Sequence, residues 1–319
     1  MSKRVLSHYR FSSFFALINR TCRSRRKQIK ETIQLYKNEG LVSDGCSLCG
    51  KENFTLLSQG DRYGFALNKQ ICNHCGLVQT YPRLSPEFHK SFYTHYYRPL
   101  YLKSTVVNYQ SVLSEQLEKG KLYLELFKKG GLEEALKNIS VIEIGCSSGG
   151  TISTLKPFVR SVQGCDLDVH AVNFAKERFD VDVEVNMLPS TLPEGRKLFI
   201  MSHVLEHVYN PLDTIKKIRA MMNDGDYFFV AVPGLNKVAE GDYKNDLRRY
   251  FHIAHVTDFT ASTLRSMSQE AGFDNIFIDE DVHALFIAAK QTAWKRNAND
   301  SIDNVLRIEK TYRGVFPHL

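Results

Sequence analysis

From residue 141 onward the sequence alternates between short apolar runs and helix-like stretches, and this alternation leaves few architectures open. The apolar runs are VIEI (141), SVQGC (161), VDVEV (181), LFIMS (198), YFFVAV (227), NIFI (275) and ALFIAA (284). Between most of them lie helix-like stretches such as HAVNFAKERF, PLDTIKKIRAMM and ASTLRSMSQEAGF. Strand-length runs alternating with amphipathic helices predict an α/β domain built on a doubly wound parallel sheet. A chain of 319 residues can hold that domain and a smaller one.

The first strand leads into VIEIGCSSGG (141–150). A dinucleotide loop has the form G-x-G-x-x-G, in which the middle glycine lets backbone approach a pyrophosphate. Here Gly145 is followed by Cys146, Ser147 and Ser148 before Gly149, so the middle glycine is missing. Glu143 also lies inside the strand, where it would repel phosphate but suit an ammonium or sulfonium group. The next strand, SVQGCDLD, ends in Asp166, 17 residues after Gly149, where an acid can bind both ribose hydroxyls. Asp168 can cap the helix that follows.

The E-h-G-x-x-x-G phrase with V-x-G-x-D after it resembles motif I and the second strand of the class I S-adenosylmethionine-dependent methyltransferases. The resemblance implies a Rossmann-like, seven-stranded methyltransferase sheet. It also implies a cofactor site of Glu143, Gly145, Gly149, Asp166, Leu167 and His203 for S-adenosylmethionine.

LFIMSHVLEHVYNPLDTI (198–215) contains His203-Val-Leu-Glu206-His207, which also fits the metalloprotease pattern H-x-x-E-H. The context is a buried strand running straight into His203, and it resembles the hVLEHV-x-x-P segment of one branch of these methyltransferases. His203 then faces the methyl donor from the carboxyl end of the sheet. Glu206 and His207 read as packing and helix-capping residues. FHIAHVTDFTASTLRSMSQEAGF (251–273) resembles the H-V-x-x-F-[ST] segment of the same branch and brings His252 and His255 to the same end. Histidine is suited to accept a proton near neutral pH, so His255 first and His203 second are the expected base or acceptor-orienting residues. An ordinary buried or capping role remains open for His255.

Upstream, CSLCG (46–50) and CNHCG (72–76) repeat one phrase with 22 residues between Cys49 and Cys72. Each pair sets two thiolates on a tight turn, and four thiolates close a tetrahedral zinc site with no open position. Cys46, Cys49, Cys72 and Cys75 are therefore the expected ligands of a structural Zn2+ in a small N-terminal ribbon, with His74 as a possible substitute for one of them. A ribbon followed by a tyrosine-rich run and this core resembles the zinc-binding methyltransferases of sugar biosynthesis, including the deoxysugar C-methyltransferases. That likeness implies an acceptor pocket touched by Tyr93, Tyr96, Tyr97, Arg98 and His252, and a sugar or nucleotide-linked sugar as acceptor. Their Y-H-E-H motif is replaced here by YFHIAH, which leaves C-, O- and N-methylation open.

Of the chain's 42 Lys/Arg and 35 Asp/Glu, nine bases and no acid fall in residues 1–30, leaving 33 against 35 elsewhere. That basic segment fits a solvated helix, a transit peptide or a membrane-surface contact. The remainder makes no strong case for nucleic acid, although RNA binding by the ribbon and this segment is the rival reading. Seven cysteines, an odd number, point to a reducing, cytoplasmic setting. The expected divisions are a basic helical segment (1–40), the ribbon (41–82), a helical connector (83–137), the methyltransferase domain (138–290) and a polar tail (291–319).

Overall fold

Strands buried on both faces need apolar side chains throughout, and the runs read from the sequence supply them. In the computed structural model the described residues are 40–289, apart from 64, 66, 98, 99 and 101–107, together with Lys27, Glu31, Gln34, Leu35 and Asn38. Arg98, the polar tail and most of the basic N-terminal segment therefore lie outside the described residues.

The N-terminal part contains β1 (Leu41–Val42), β2 (Phe54–Ser58), β3 (Lys69–Cys72), β4 (Val78–Thr80), β5 (Arg83–Leu84) and helix α1 (Pro86–His95). Ser85 caps α1 by accepting from the Phe88 N–H, with Pro86 in the first turn. The core follows as α2 (Tyr109–Lys129), β6 (Ile139–Ile144), α3 (Gly150–Leu155), β7 (Ser161–Asp166), α4 (Val169–Phe179) and β8 (Asp182–Val185). It continues through β9 (Arg196–Ser202), α5 (Pro211–Ala220), β10 (Tyr227–Ala231), α6 (Leu247–Tyr250), β11 (Thr257–Asp258), α7 (Ala261–Glu270), β12 (Phe273–Ile278) and β13 (His283–Ala288).

Seven strands form the central sheet in the order β12-β13-β10-β9-β6-β7-β8. All six residues of β6 and all five of β10 are buried. One face packs Tyr123, Leu124 and Phe127 of α2 against Ile139, Val141, Leu198 and Phe229. The other packs Ile215 and Ile218 of α5 and Leu264 and Met267 of α7 against Ile142, Phe199 and Phe228.

The sheet is mixed rather than wholly parallel, because β13 runs antiparallel to both β10 and β12. Only residues 279–282 join β12 to β13, and a parallel return needs a crossover of about a dozen residues or more.

The ribbon is not a separate unit. Its antiparallel β2-β3-β4 meander is completed by β11, which pairs Thr257 with Gln79 and Asp258 with Val78. Cys46, Leu48, Cys72 and Leu77 bury in the same cluster as Met201, Phe259 and Leu264. The expected connector also divides: α1 buries Phe88 and Phe92 with Phe65, Leu67 and Ile253, whereas α2 belongs to the sheet core.

Candidate active site

Glycine is required at position 145 by sterics. Its φ is +76°, and a Cβ there would stand 2.4 Å from Val204 Cγ2. Gly149, also with positive φ, caps α3, so the loop turns from β6 into a helix N-terminus. Gln116 of α2 latches this turn, accepting from the Ser148 hydroxyl at 2.6 Å and from the Gly150 N–H at 3.2 Å. Asp166 braces the loop from β7: its carboxylate accepts the N–H of Ser147 at 2.8 Å and that of Asp168 at 2.8 Å. Asp168 caps α4 by accepting from His170 and Ala171, as the sequence suggests, and also accepts from the Tyr109 hydroxyl. Leu167 is 67% exposed and Met187 61% exposed. The Asp166 carbonyl accepts from the Asn186 N–H at 3.1 Å, which brings the start of the segment after β8 beside the end of β7.

Glu143 lies under the loop, buried, with Oε2 lacking any hydrogen-bond partner. Burial, aided by the charge of Asp166, pushes its carboxyl up to about 8 against the pull of a Thr151 hydrogen bond. An unpartnered buried carboxyl oxygen at this place fits a ligand that brings its own cationic N–H.

At the end of β9, His203 adopts φ +54°, an uncommon region for a residue with a Cβ, while its N–H donates to Ala231 O at 2.8 Å. Its side chain is 40% exposed. It borders a cavity of about 230 Å3 together with Pro233, Lys237, Tyr243, Asp281 and His283. Behind His203, Glu206 is 2% exposed with neither oxygen hydrogen-bonded. Its Oε1 lies 3.5 Å from His203 Nδ1 and 3.6 Å from His207 Nε2. Burial opposes ionisation of Glu206, but the neighbouring His207 and His203 bring its carboxyl down to about 2. His207 and His255 rings are 5.0 Å apart, and His252 and His255 rings 3.7 Å.

The ribbon holds this histidine cluster in place. Lys69, fully buried, donates to Asp258 Oδ2 at 2.6 Å and to His255 O at 2.6 Å. Asp61 accepts the Ile253 N–H at 2.8 Å, and the Arg62 N–H donates to Phe251 O. The Tyr93 hydroxyl of α1 donates to Ala254 O at 2.9 Å, and the ring of Tyr97, just past the end of α1, lies 5.4 Å from that of His207.

Residues 109–277, more than half of the chain, match the sequence profile of a family described as a methyltransferase domain. The chain belongs to this methyltransferase family. It is an S-adenosylmethionine-dependent methyltransferase. No curated protein sequence matches it significantly. Among solved structures, an S-adenosylmethionine-dependent methyltransferase from Clostridium acetobutylicum is 10% identical, covering 63% of this chain and 99% of its own, with a TM-score of 0.41. A counterpart from Aquifex aeolicus is 15% identical, covering 53% and 88%, with a TM-score of 0.39. The N-methyltransferase NodS from Bradyrhizobium japonicum, in complex with S-adenosylhomocysteine, is 14% identical, covering 56% and 97%, with a TM-score of 0.39.

In this methyltransferase Glu143, Gly145, Gly149, Asp166 and Leu167 surround one loop, and His203 stands at the same end of the sheet. His255, expected first as the base, is only 6% exposed and does not border the cavity beside His203. Burial brings its imidazole down to about 4, so it is neutral at physiological pH. Tyr93, Tyr97 and His252 gather around the histidine cluster, and Tyr93, Tyr96 and Tyr97 all pack against the apolar cluster that holds Phe65 and Phe92. None of Tyr93, Tyr96, Tyr97 and His252 borders the cavity. Glu206 and His207 do not cap the short helical turn Leu205–His207, whose start has no side-chain cap. The sequence reading also passed over Gln116, Lys237, Tyr243 and His283.

The four ribbon cysteines bring their sulfurs within 4.8 Å of one another, and Cys46–Cys75 and Cys49–Cys72 sulfurs lie 3.4 and 3.6 Å apart. None of the four is in a disulfide. Thiolates on a tetrahedral Zn2+ with bonds of about 2.3 Å stand roughly 3.8 Å apart, so this set fits such an ion. Lys69, one of the few bases between the knuckles, is buried in an ion pair and adds nothing to the ribbon's surface charge. Among the described residues no helix is long and apolar enough to cross a membrane.

Proposed function

We propose that the protein transfers a methyl group from S-adenosylmethionine to a small polar acceptor, most directly a sugar or nucleotide-linked sugar. The observation that carries the acceptor reading is the cavity beside His203, walled by Lys237, Tyr243, Asp281 and His283. Its volume of about 230 Å3 lies below the roughly 300–1,000 Å3 of drug-sized sites and suits one compact polar ring.

On the donor side, Glu143 pairs with the amino group of the donor, Asp166 takes the ribose hydroxyls, and Leu167 and Met187 flank the adenine. When bound, the cofactor supplies the methyl group on a sulfonium. The protein's part is alignment and proton removal. His203 takes the acceptor proton from the cavity wall, and His255 supports the acceptor side from within the cluster behind it. The Cys46–Cys49–Cys72–Cys75 set holds a structural Zn2+ that keeps the ribbon folded against the 251–258 loop.

The test is incubation with isotopically labelled S-adenosylmethionine and a panel of free sugars, nucleotide sugars and short RNAs, read by mass spectrometry. Label on a sugar compound that falls at least tenfold in His203→Ala supports the reading. Label on RNA alone overturns it.

A further inference from the structure

Glu206, His207 and His255 bring one ligand atom each to within 4.8 Å of the others. The chemistry of this group is unbalanced as it stands. His207 Nδ1 lies 2.9 Å from Ala254 O, and a carbonyl only accepts, so Nδ1 carries the hydrogen. Its Nε2 therefore faces Glu206 Oε1, 3.6 Å away. That separation is too long for a direct hydrogen bond. Both Glu206 oxygens are buried without a partner, as is His255 Nδ1, which sits 3.7 Å from the equally unpartnered Asp258 Oδ1. Orphaned polar atoms gathered in one buried place each cost the energy of a lost hydrogen bond unless something bridges them.

We propose that Glu206, His207 and His255 hold a divalent transition-metal ion, a second metal site separate from the four cysteines. The surroundings match those of a metal site at each ligand. His207 is oriented through its other nitrogen by a backbone carbonyl, and His255 stands beside a carboxylate, the two outer partners typical of metal-bound histidines. Two imidazoles and one carboxylate select an ion of the Zn2+ or Fe2+ class over Mg2+ or Ca2+, which prefer all-oxygen ligation. The ion ties the end of β9 to the 251–258 loop, which the ribbon grips from its other side through Lys69 and Asp61. The competing explanation is a proton on His207 or His203 in place of the ion. The inference does not depend on the identity of the acceptor or on methyl transfer itself.

Metal content decides between them. The purified full-length protein, dialysed with Zn2+ and freed of excess, should carry two equivalents per chain. Glu206→Gln, His207→Ala and His255→Ala should each lose one of the two while still binding S-adenosylhomocysteine, which shows that the donor side is folded. Should those variants fail to fold, Co2+ titration of the metal-free wild-type chain gives the same answer. One equivalent should develop the intense charge-transfer absorption of thiolate ligation, and a second should bind with only the weak bands of nitrogen and oxygen ligands. A single equivalent, bound wholly through thiolates, overturns the second site, as does an unchanged metal content in all three variants.

Discussion

Glu143 is the side chain whose protonation should be felt most directly in donor binding. Its usual carboxyl value is about 4.3, and burial raises it to about 8. The folded protein thus holds a proton between those values that the unfolded chain has released, and apo stability falls as pH rises through this range. A donor ammonium favours the ionised carboxylate, so binding must expel that proton. Affinity for S-adenosylhomocysteine should therefore rise by about tenfold per pH unit between 6 and 8 and then level off. Glu143→Gln should bind weakly and with a flat pH profile. Calorimetry in buffers of different ionisation enthalpy reads the proton directly; a flat wild-type profile would contradict this role. Glu143, Gly145 and Asp166 were legible in the sequence because strand, loop and next strand lie within a short span whose spacing fixes their placement. Glu206 was not. Its isolation from hydrogen-bond partners arises only when His255, in a distant loop, folds over it.

The paired elements β4 and β11 join the ribbon to the core, and the buried Lys69–Asp258 ion pair sits across that join. Removing one partner of a buried pair strands the other charge. Lys69→Met should destabilise the protein by about 3–5 kcal/mol in denaturant unfolding, and adding Asp258→Asn should restore most of the loss. If the single variant unfolds like wild type, the pair is not a structural link. Removal of metal from the cysteines should raise hydrogen exchange in residues 251–258 together with 41–84, while β6 and β7 remain the better protected strands. Exchange confined to 41–84 would show that the ribbon does not support the loop. The long strands and helices declared themselves through periodicity, but β11 is two residues long and has no period to read. Its membership in the ribbon sheet, and the reversal of β13, are decided by tertiary pairing and by the length of the connection before it.

The molecule as a whole shares one buried cluster between its cysteine knuckles and the helical face of its methyltransferase sheet. Ribbon and core should therefore unfold together, as a single transition by tryptophan-independent probes such as far-ultraviolet circular dichroism; two separated transitions would mark independent domains. The central claim is that the loop at 145–149, with Glu143 below and Asp166 beside it, holds an adenosyl amino acid. Its most direct test is calorimetric titration of S-adenosylhomocysteine into folded, zinc-loaded protein and into Asp166→Ala. The account predicts micromolar binding that weakens by at least tenfold in the variant, with the fold preserved. Absence of binding to well-folded wild-type protein, or equal binding to both, would contradict it.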